Sequence, residues 1–295
     1  MKKIGIVTDS HSGITQKEAE KLGIIVLPMP FYLGEECFYE EVTVSRREFL
    51  ERLRLGAPVS TSQPAPAAVL EVWDRALLEY EQIVYIPISS GLSGSCATAM
   101  SLAEEKAYKG RVWVVDNGRV STLLHRAVLD ALELVQEGYG AEQIKEILEA
   151  YRDKMTIYVA VDTLENLRRG GRISGAAASF GTLLNIKPIL KFDVGTLDAY
   201  MKCRGFKRAR REMLEAMRRE FETTFREAYE EGEIYLLAAT SADEETTRDW
   251  IREIEEFFPG MPVLCDDLSL GVACHIGAGG LGIGCSVRPK RPERK

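Results

Sequence analysis

Ile83-Val84-Tyr85-Ile86-Pro87-Ile88-Ser89-Ser90-Gly91-Leu92-Ser93-Gly94 is the stretch on which the fold turns. Its first four residues form a compact apolar run, read as a buried strand. Ser89 to Gly94 is a loop of small residues, and the segment after Gly91 reads as helix through about Lys106. Val112-Trp113-Val114-Val115-Asp116 then supplies another apolar strand. Strand, loop, helix and strand in that order indicate a parallel sheet, and uninterrupted apolar runs fit strands covered on both faces.

The pattern extends outward. Upstream, Ile4-Gly5-Ile6-Val7 is a strand ending in Thr8-Asp9-Ser10, residues 15–22 read as helix, and Ile24 to Leu27 begins a second strand. Residues 45–55 form an amphipathic helix stopped by Gly56-Ala57-Pro58, and 66–80 form another. Downstream, helices are expected near 121–137 and 141–154. The second half opens with a strand at Ile157 to Val161 and a helix near 163–169 that runs into Gly170-Gly171. Ile189 to Phe192 and Leu197 to Met201 flank Asp193-Val194-Gly195-Thr196, a hairpin turn. A charged helix over about 205–230, a strand at Ile234 to Thr240, a helix at 243–257, a short strand at Val263-Leu264 and a Gly-rich return complete the chain. The expectation is an α/β protein of two α/β domains. An N-terminal Rossmann-like parallel sheet spans 1–156 and a C-terminal mixed sheet with helices spans 157–295, with a ligand between them.

The 295 residues, 45% of them hydrophobic, suffice for a large core. With 38 Lys plus Arg against 45 Asp plus Glu, the net charge of -7 argues against nucleic-acid binding. The six cysteines include no Cys-x-x-Cys pair, which fits reduced, buried thiols better than zinc or a disulfide scaffold. The apolar run after Met1-Lys2-Lys3 is too short for a signal-peptide core, and no continuous apolar span reaches membrane length. A soluble, cytoplasmic protein is expected.

Gly277-Ala278-Gly279-Gly280-Leu281-Gly282 matches the dinucleotide pattern, but too little chain follows for a βαβ unit, so that function is rejected. There is no P-loop and no G-x-S-x-G elbow, and three histidines are too few for a His-rich metal site. Ser89 to Gly94 lies at the carboxyl end of a strand, where open α/β sheets bind ligands, although Ser93 or Ser95 could instead cap the helix. Thr61-Ser62-Gln63-Pro64 reads either as a capped loop entering the helix at 66 or as a ligand loop. Asp9 suits holding loop amides better than catalysis. Gly170-Gly171-Arg172 sets an Arg where backbone can approach closely, as an anion fork or as a helix C-cap with a solvated Arg. The small residues Gly175 to Leu184 fit close helix packing or room for a slender apolar ligand. His275, alone in an apolar segment, gains interest only through coincidence with these loops.

Thr61-Ser62-Gln63-Pro64, Ser89-Ser90-Gly91-Leu92-Ser93-Gly94, Gly170-Gly171-Arg172-Ile173-Ser174 and Asn185-Ile186-Lys187-Pro188, in this order, resemble the DegV family of bacterial lipid-binding proteins. The resemblance runs from Thr8-Asp9-Ser10 to His275-Ile276-Gly277. It implies two α/β domains holding one long-chain fatty acid between them, and no cofactor, metal or catalysis by the chain itself. It also implies an ATP-binding fatty acid kinase subunit as partner, which phosphorylates the presented carboxylate for phospholipid synthesis, and transient membrane contact. On matching positions, Thr61 and Ser93 would bind the carboxylate with Arg172 and His275 nearby and Ser62 as a weaker candidate. Arg204, in Lys202-Cys203-Arg204-Gly205, would fall in the surface that meets the kinase. Two other functions remain open: a stand-alone acyl hydrolase or transferase using Ser93 and His275, and a soluble-metabolite binding protein.

Overall fold

The computed structural model describes residues 2–175, 185–195 and 197–291. The expected small-residue stretch at 176–184 and Thr196 of the hairpin turn lie outside the described residues.

Four strands make a parallel sheet: β1 (Lys2–Asp9), β2 (Ile25–Leu27), β6 (Tyr80–Ile86) and β7 (Val112–Val114), in the order β2-β1-β6-β7. Alternate residues of its central strands enter opposite cores. Ile6, Val84 and Ile86 pack with α5 (Thr122–Gln136) and α6 (Ala141–Ala150). Val7, Ile83 and Tyr85 pack under α3 (Pro66–Glu79) and α4 (Ser95–Ala103), around Trp73. Burial on both faces is why these strands read as unbroken apolar runs.

The six-stranded sheet has the order β10-β9-β8-β13-β11-β12, antiparallel except for the pair of β11 (Ile234–Thr240) and β12 (Val263–Asp267). Its other members are β8 (Met155–Ala160), β9 (Ile186–Phe192), β10 (Leu197–Arg204) and β13 (Leu281–Val287). One face is covered by α8 (Phe206–Glu222) and α10 (Glu244–Phe257), through Met213, Met217, Trp250 and Ile254. The other face turns toward Ile88, Val120 and Leu123 of the first half.

Three differences from the sequence reading stand out. The expected helix over 205–230 is two, α8 and α9 (Arg226–Glu230). The chain turns at Thr223 to Phe225, where the Phe225 N–H returns to the Glu220 carbonyl at 2.9 Å. A small antiparallel sheet of β4 (Glu36–Tyr39), β3 (Pro30–Leu33) and β5 (Val59–Thr61) was not expected. With α2 (Arg46–Arg54) it packs on α11 (Leu270–Ile276) through Phe31, Phe49, Leu270 and Cys274. Finally, the Gly-rich return is β13, paired on both sides in the middle of the six-stranded sheet. The rejected dinucleotide pattern thus leads into a strand and opens no helix.

The β9–β10 turn reaches back to the first half. A Cβ on Gly91 would lie 2.4 Å from the Gly195 Cα and 2.6 Å from its carbonyl oxygen, so two backbones touch where neither residue has a side chain.

Candidate functional site

The site begins at the carboxyl ends of the parallel strands. Asp9, fully buried, accepts the His11 N–H at 2.9 Å and the Ile88 N–H at 2.8 Å, tying together the loops that leave β1 and β6. This is the amide-holding role expected of it. The loop at 89–94 is braced in turn. Ser90 donates to Asp116 at 2.5 Å, Arg152 pairs with the same carboxylate, and the Leu92 and Ser93 N–H groups both return to the Ser89 carbonyl. Ser93 does not cap α4, whose N-cap is Gly94 without a side-chain bond; its Oγ accepts the Ser95 N–H at 3.2 Å.

Three further segments converge from elsewhere in the chain. Thr61 ends β5 and does not cap α3, whose N-cap is Ala65 followed by Pro66. Instead Thr61 Oγ1 lies 2.9 Å from His275 Nε2 on α11. Gly170 ends α7 (Glu165–Gly170) against the same ring: a Cβ there would lie 2.1 Å from His275 Nδ1, so only glycine fits. Gly171 is the expected left-handed C-cap, with φ of 66°. Arg172, however, is not solvated. It is half-buried, donating from Nε to the Leu92 carbonyl at 3.2 Å and from Nη1 to the Gly170 carbonyl at 2.5 Å. Among the described residues no carboxylate lies within ion-pair distance of Arg172.

Thr61, Ser62, Ser93, Arg172 and His275 all line one cavity between the two larger sheets. Counted with its opening to solvent, it encloses about 980 Å³. Its floor is the six-stranded sheet. Ile157 and Val159 of β8 and Leu237 and Ala239 of β11 flank β13, where the facing positions are Gly282 and Gly284. The central strand therefore puts no side chain into the cavity at two successive facing positions. Leu123 fills the space over Gly284, whose Cβ would lie 2.9 Å from it; near Gly282 only backbone oxygens approach, the Ala239 carbonyl at 3.3 Å.

Burial pushes the His275 ring down to about 4, and the charge of Arg172 pushes the same way. The ring is therefore neutral near pH 7. Its Nδ1 is buried against Gly170 with no partner among the described residues, so the lower-cost tautomer carries the proton on Nε2 and donates it to Thr61 Oγ1. The Thr61 hydroxyl hydrogen is then free to point at a ligand. His275 pairs with Thr61 and not with Ser93, so the Ser93–His275 pair required of a hydrolase is not formed. Among the described residues no cluster of three His, Cys, Asp or Glu side chains could hold a metal, and no helix is long and apolar enough to cross a membrane.

Arg204 is elsewhere. It is exposed at the end of β10, in a surface depression shared with Lys207, Arg208, Arg211 and Phe257.

A family model described as "Uncharacterised protein, DegV family" matches residues 3–288. The chain belongs to the DegV family. A DegV domain-containing protein of Deinococcus radiodurans is 38% identical over 217 residues, 73% of this chain and 76% of that protein. One of Staphylococcus aureus is 31% identical over 290 residues, 96% of each. Among solved structures, a fatty-acid-binding DegV family protein from Thermus thermophilus is 34% identical, covers 97% of this chain and 99% of its own, and has a TM-score of 0.83. DegV of Bacillus subtilis, described as a fatty acid binding protein, is 26% identical with a TM-score of 0.80, covering 97% of this chain and 100% of its own.

Sequence reasoning missed three parts of this DegV cavity. His11 lines it but follows Asp9-Ser10, which read as a loop brace. Ser121 lines it but sat at the edge of an expected helix; it is the N-cap of α5, with φ of 56°, unusual for a residue with a side chain. Gly282 and Gly284 form the floor, and their signal was spacing: glycines two apart share one strand face.

Proposed function

We propose that this chain binds one long-chain fatty acid in the cavity between its two larger sheets and presents the carboxylate to a separate ATP-dependent kinase subunit. One observation carries the reading. An apolar floor and polar groups from four distant segments share one cavity, and among the described residues the half-buried Arg172 there has carbonyls but no carboxylate as partners. An apolar tail with an anionic end fits that arrangement. The fatty-acid-binding Thermus thermophilus relative supports it.

Thr61 and Ser93 would donate hydroxyls to the carboxylate, Arg172 would supply charge, neutral His275 would orient Thr61, and Ser62 would sit at the exposed side. Each buried CH₂ contributes about 0.8 kcal/mol, so a tail of roughly 15 supplies about 12 kcal/mol before binding costs. A single neutral hydrogen bond contributes about 1 kcal/mol. The tail sets affinity and the hydroxyls set orientation. Hydroxyls can also serve an acyl phosphate, because their protons rotate to suit either anion. The exposed depression at Arg204, where four basic residues stand beside Glu253 and Glu256, is the surface proposed to meet the kinase. The reading also divides the chain near residue 156 and places it in the cytoplasm, where ATP is available.

Organic extraction of purified protein followed by mass spectrometry tests the binding step. A fatty acid of long chain should appear without having been added. A preparation that neither carries nor takes up such an acid ends the proposal, and unaided turnover of an acyl ester would favour a hydrolase.

A further inference from the structure

We infer that the cavity holds a second polar subsite, made by Ser121, His11 and the N-terminus of α5, that receives a hydroxyl on one of the first carbons of the bound acyl chain. This rests on the acyl-chain reading above.

Ser121 is 5% exposed, lines the cavity, and its Oγ has no hydrogen-bond partner among the described residues. Its neighbour Thr122 also lines the cavity, but spends its hydroxyl on the Ala238 carbonyl at 2.7 Å. Ser121 occupies the N-cap position of α5, but its hydroxyl makes no cap bond to that helix. Leaving such a group buried and unpaired costs about 1–3 kcal/mol. The backbone holds it firmly: the Ser121 N–H donates to the His11 carbonyl at 2.8 Å, and its carbonyl accepts the His125 N–H at 2.9 Å. Beside it the first N–H groups of α5, from Thr122 and Leu123, find no acceptor among the described residues. That is the ordinary condition of a helix start, here inside a cavity.

His11 completes the subsite. It is 7% exposed, and its Nδ1 lies 3.2 Å from Oδ1 of the buried Asp9, which makes Nδ1 the donor. In the neutral ring Nε2 then carries a lone pair. Nε2 makes no hydrogen bond among the described residues. It faces Gly271, where a Cβ would lie 2.7 Å from it, so glycine keeps the space clear. Gly271 and His275 are four residues apart on α11, one turn, or about 6 Å. The second subsite is therefore one turn along α11 from His275, the ring that holds Thr61 toward the carboxylate, and so within reach of the first carbons of the chain.

The mix of donors and acceptor selects the ligand group. Ser121 and two amides donate, and His11 Nε2 accepts. A hydroxyl does both: its hydrogen goes to Nε2 and its two lone pairs accept from Ser121 and one amide. A carboxylate or phosphate accepts only and would face the Nε2 lone pair. A plain methylene would leave Ser121 unpaired. The ligand class is a long-chain acid hydroxylated near its carboxyl end.

Native mass spectrometry of the full chain, incubated with equal amounts of octadecanoic, 3-hydroxyoctadecanoic and 12-hydroxyoctadecanoic acids, tests this. The 3-hydroxy acid should occupy the protein about tenfold more than octadecanoic acid, the effect of one hydrogen bond that relieves a buried orphan. The 12-hydroxy acid should come last, because its hydroxyl meets apolar floor. In Ser121→Ala the 3-hydroxy preference should fall below about twofold. Ser121→Gly should do the same, and glycine suits the positive φ, so folding is not at issue. Parity of the first two acids in the unmodified protein, or a preference that survives both variants, overturns the subsite while leaving the acyl-chain reading intact. Failure of all three acids to bind overturns both.

Discussion

The floor of the cavity and its polar rim are built by opposite means. The floor is three hydrogen-bonded strands, with Gly282 and Gly284 in register against Val159 and Ile157 on one side and Ala239 and Leu237 on the other. Its shape follows from ladder register, which a single side chain does not alter. The rim is Thr61, Ser93, Arg172 and His275, each on a different segment; Thr61 bonds His275, Arg172 bonds the loop of Ser93, and Ser93 bonds within its own loop. A floor of that kind excludes bulk absolutely. A rim of that kind loses one member and keeps the rest. Affinity should therefore fail at the floor, and orientation at the rim.

The largest effect should come where the two halves meet. Gly91→Val would drive Cβ into the Gly195 backbone, and neither backbone can step aside without separating the rim loop from the β9–β10 turn. A loss of at least about 3 kcal/mol is expected, read by urea denaturation. Unchanged stability would show that the contact is not what joins the two regions. Next is Gly282→Leu, whose side chain would enter the cavity from its floor. Bound lipid should drop about a hundredfold, roughly 2.7 kcal/mol, while circular dichroism and thermal midpoint stay near the starting values. Retained lipid would mean that the ligand does not lie over β13.

The same contrast explains what could be read from sequence. The parallel strands were legible because burial on both faces leaves apolar runs such as Ile83 to Ile86. β13 was not, because Gly282 and Gly284 replace the facing side chains that would have given it a strand pattern, and glycine normally weakens strands. β3, β4 and β5 are three or four residues long, too short for periodicity to register. Rim residues were legible because glycine or proline marks their loops. What sequence left open was which hydroxyl capped a helix. The structure answers for Thr61, which bonds His275, since that depends on contacts between residues 214 positions apart. Ser121 was hidden because an N-cap and a first helical residue look alike until φ is known.

A smaller effect distinguishes two groups at opposite ends of α11. Burial pushes His275 down to about 4 and Glu40 up to about 7; Glu40 accepts the Leu270 N–H at 2.9 Å, with Arg46, His11 and Glu41 near it. For His275 the unfolded ring takes a proton that the folded ring refuses, so its contribution is full above pH 6.5 and is lost as pH falls toward 4. For Glu40 the folded carboxyl keeps a proton that the unfolded one has released. Its contribution is full below pH 4.5 and is lost as pH rises toward 7. Between pH 4.5 and 6.5 the two slopes oppose. Glu40→Gln should unmask His275, so that the thermal midpoint of the variant, relative to the unmodified protein, falls by a few degrees between pH 7 and pH 5. A difference that is flat with pH would place Glu40 in solvent.

The smallest effect on binding should come from the rim itself. Ser93 Oγ accepts the Ser95 N–H and lines the cavity, and its loss removes one hydroxyl while Thr61 and Arg172 remain. Ser93→Ala should weaken fatty acid binding by no more than about tenfold, the value of one hydrogen bond at most, because the tail carries the affinity. Phosphorylation by a partner kinase is a different matter. The attacking carboxylate oxygen must be aimed, and a misplacement of about 1 Å can cost a hundredfold in rate. Titration of lipid and turnover with the kinase should therefore separate in this variant: near-full occupancy with a rate reduced well beyond the loss in binding. If both fall together, the rim holds the ligand rather than aims it. If neither falls, Ser93 serves only its own loop, and the division between a floor that binds and a rim that orients would have to be redrawn around Thr61 and Arg172.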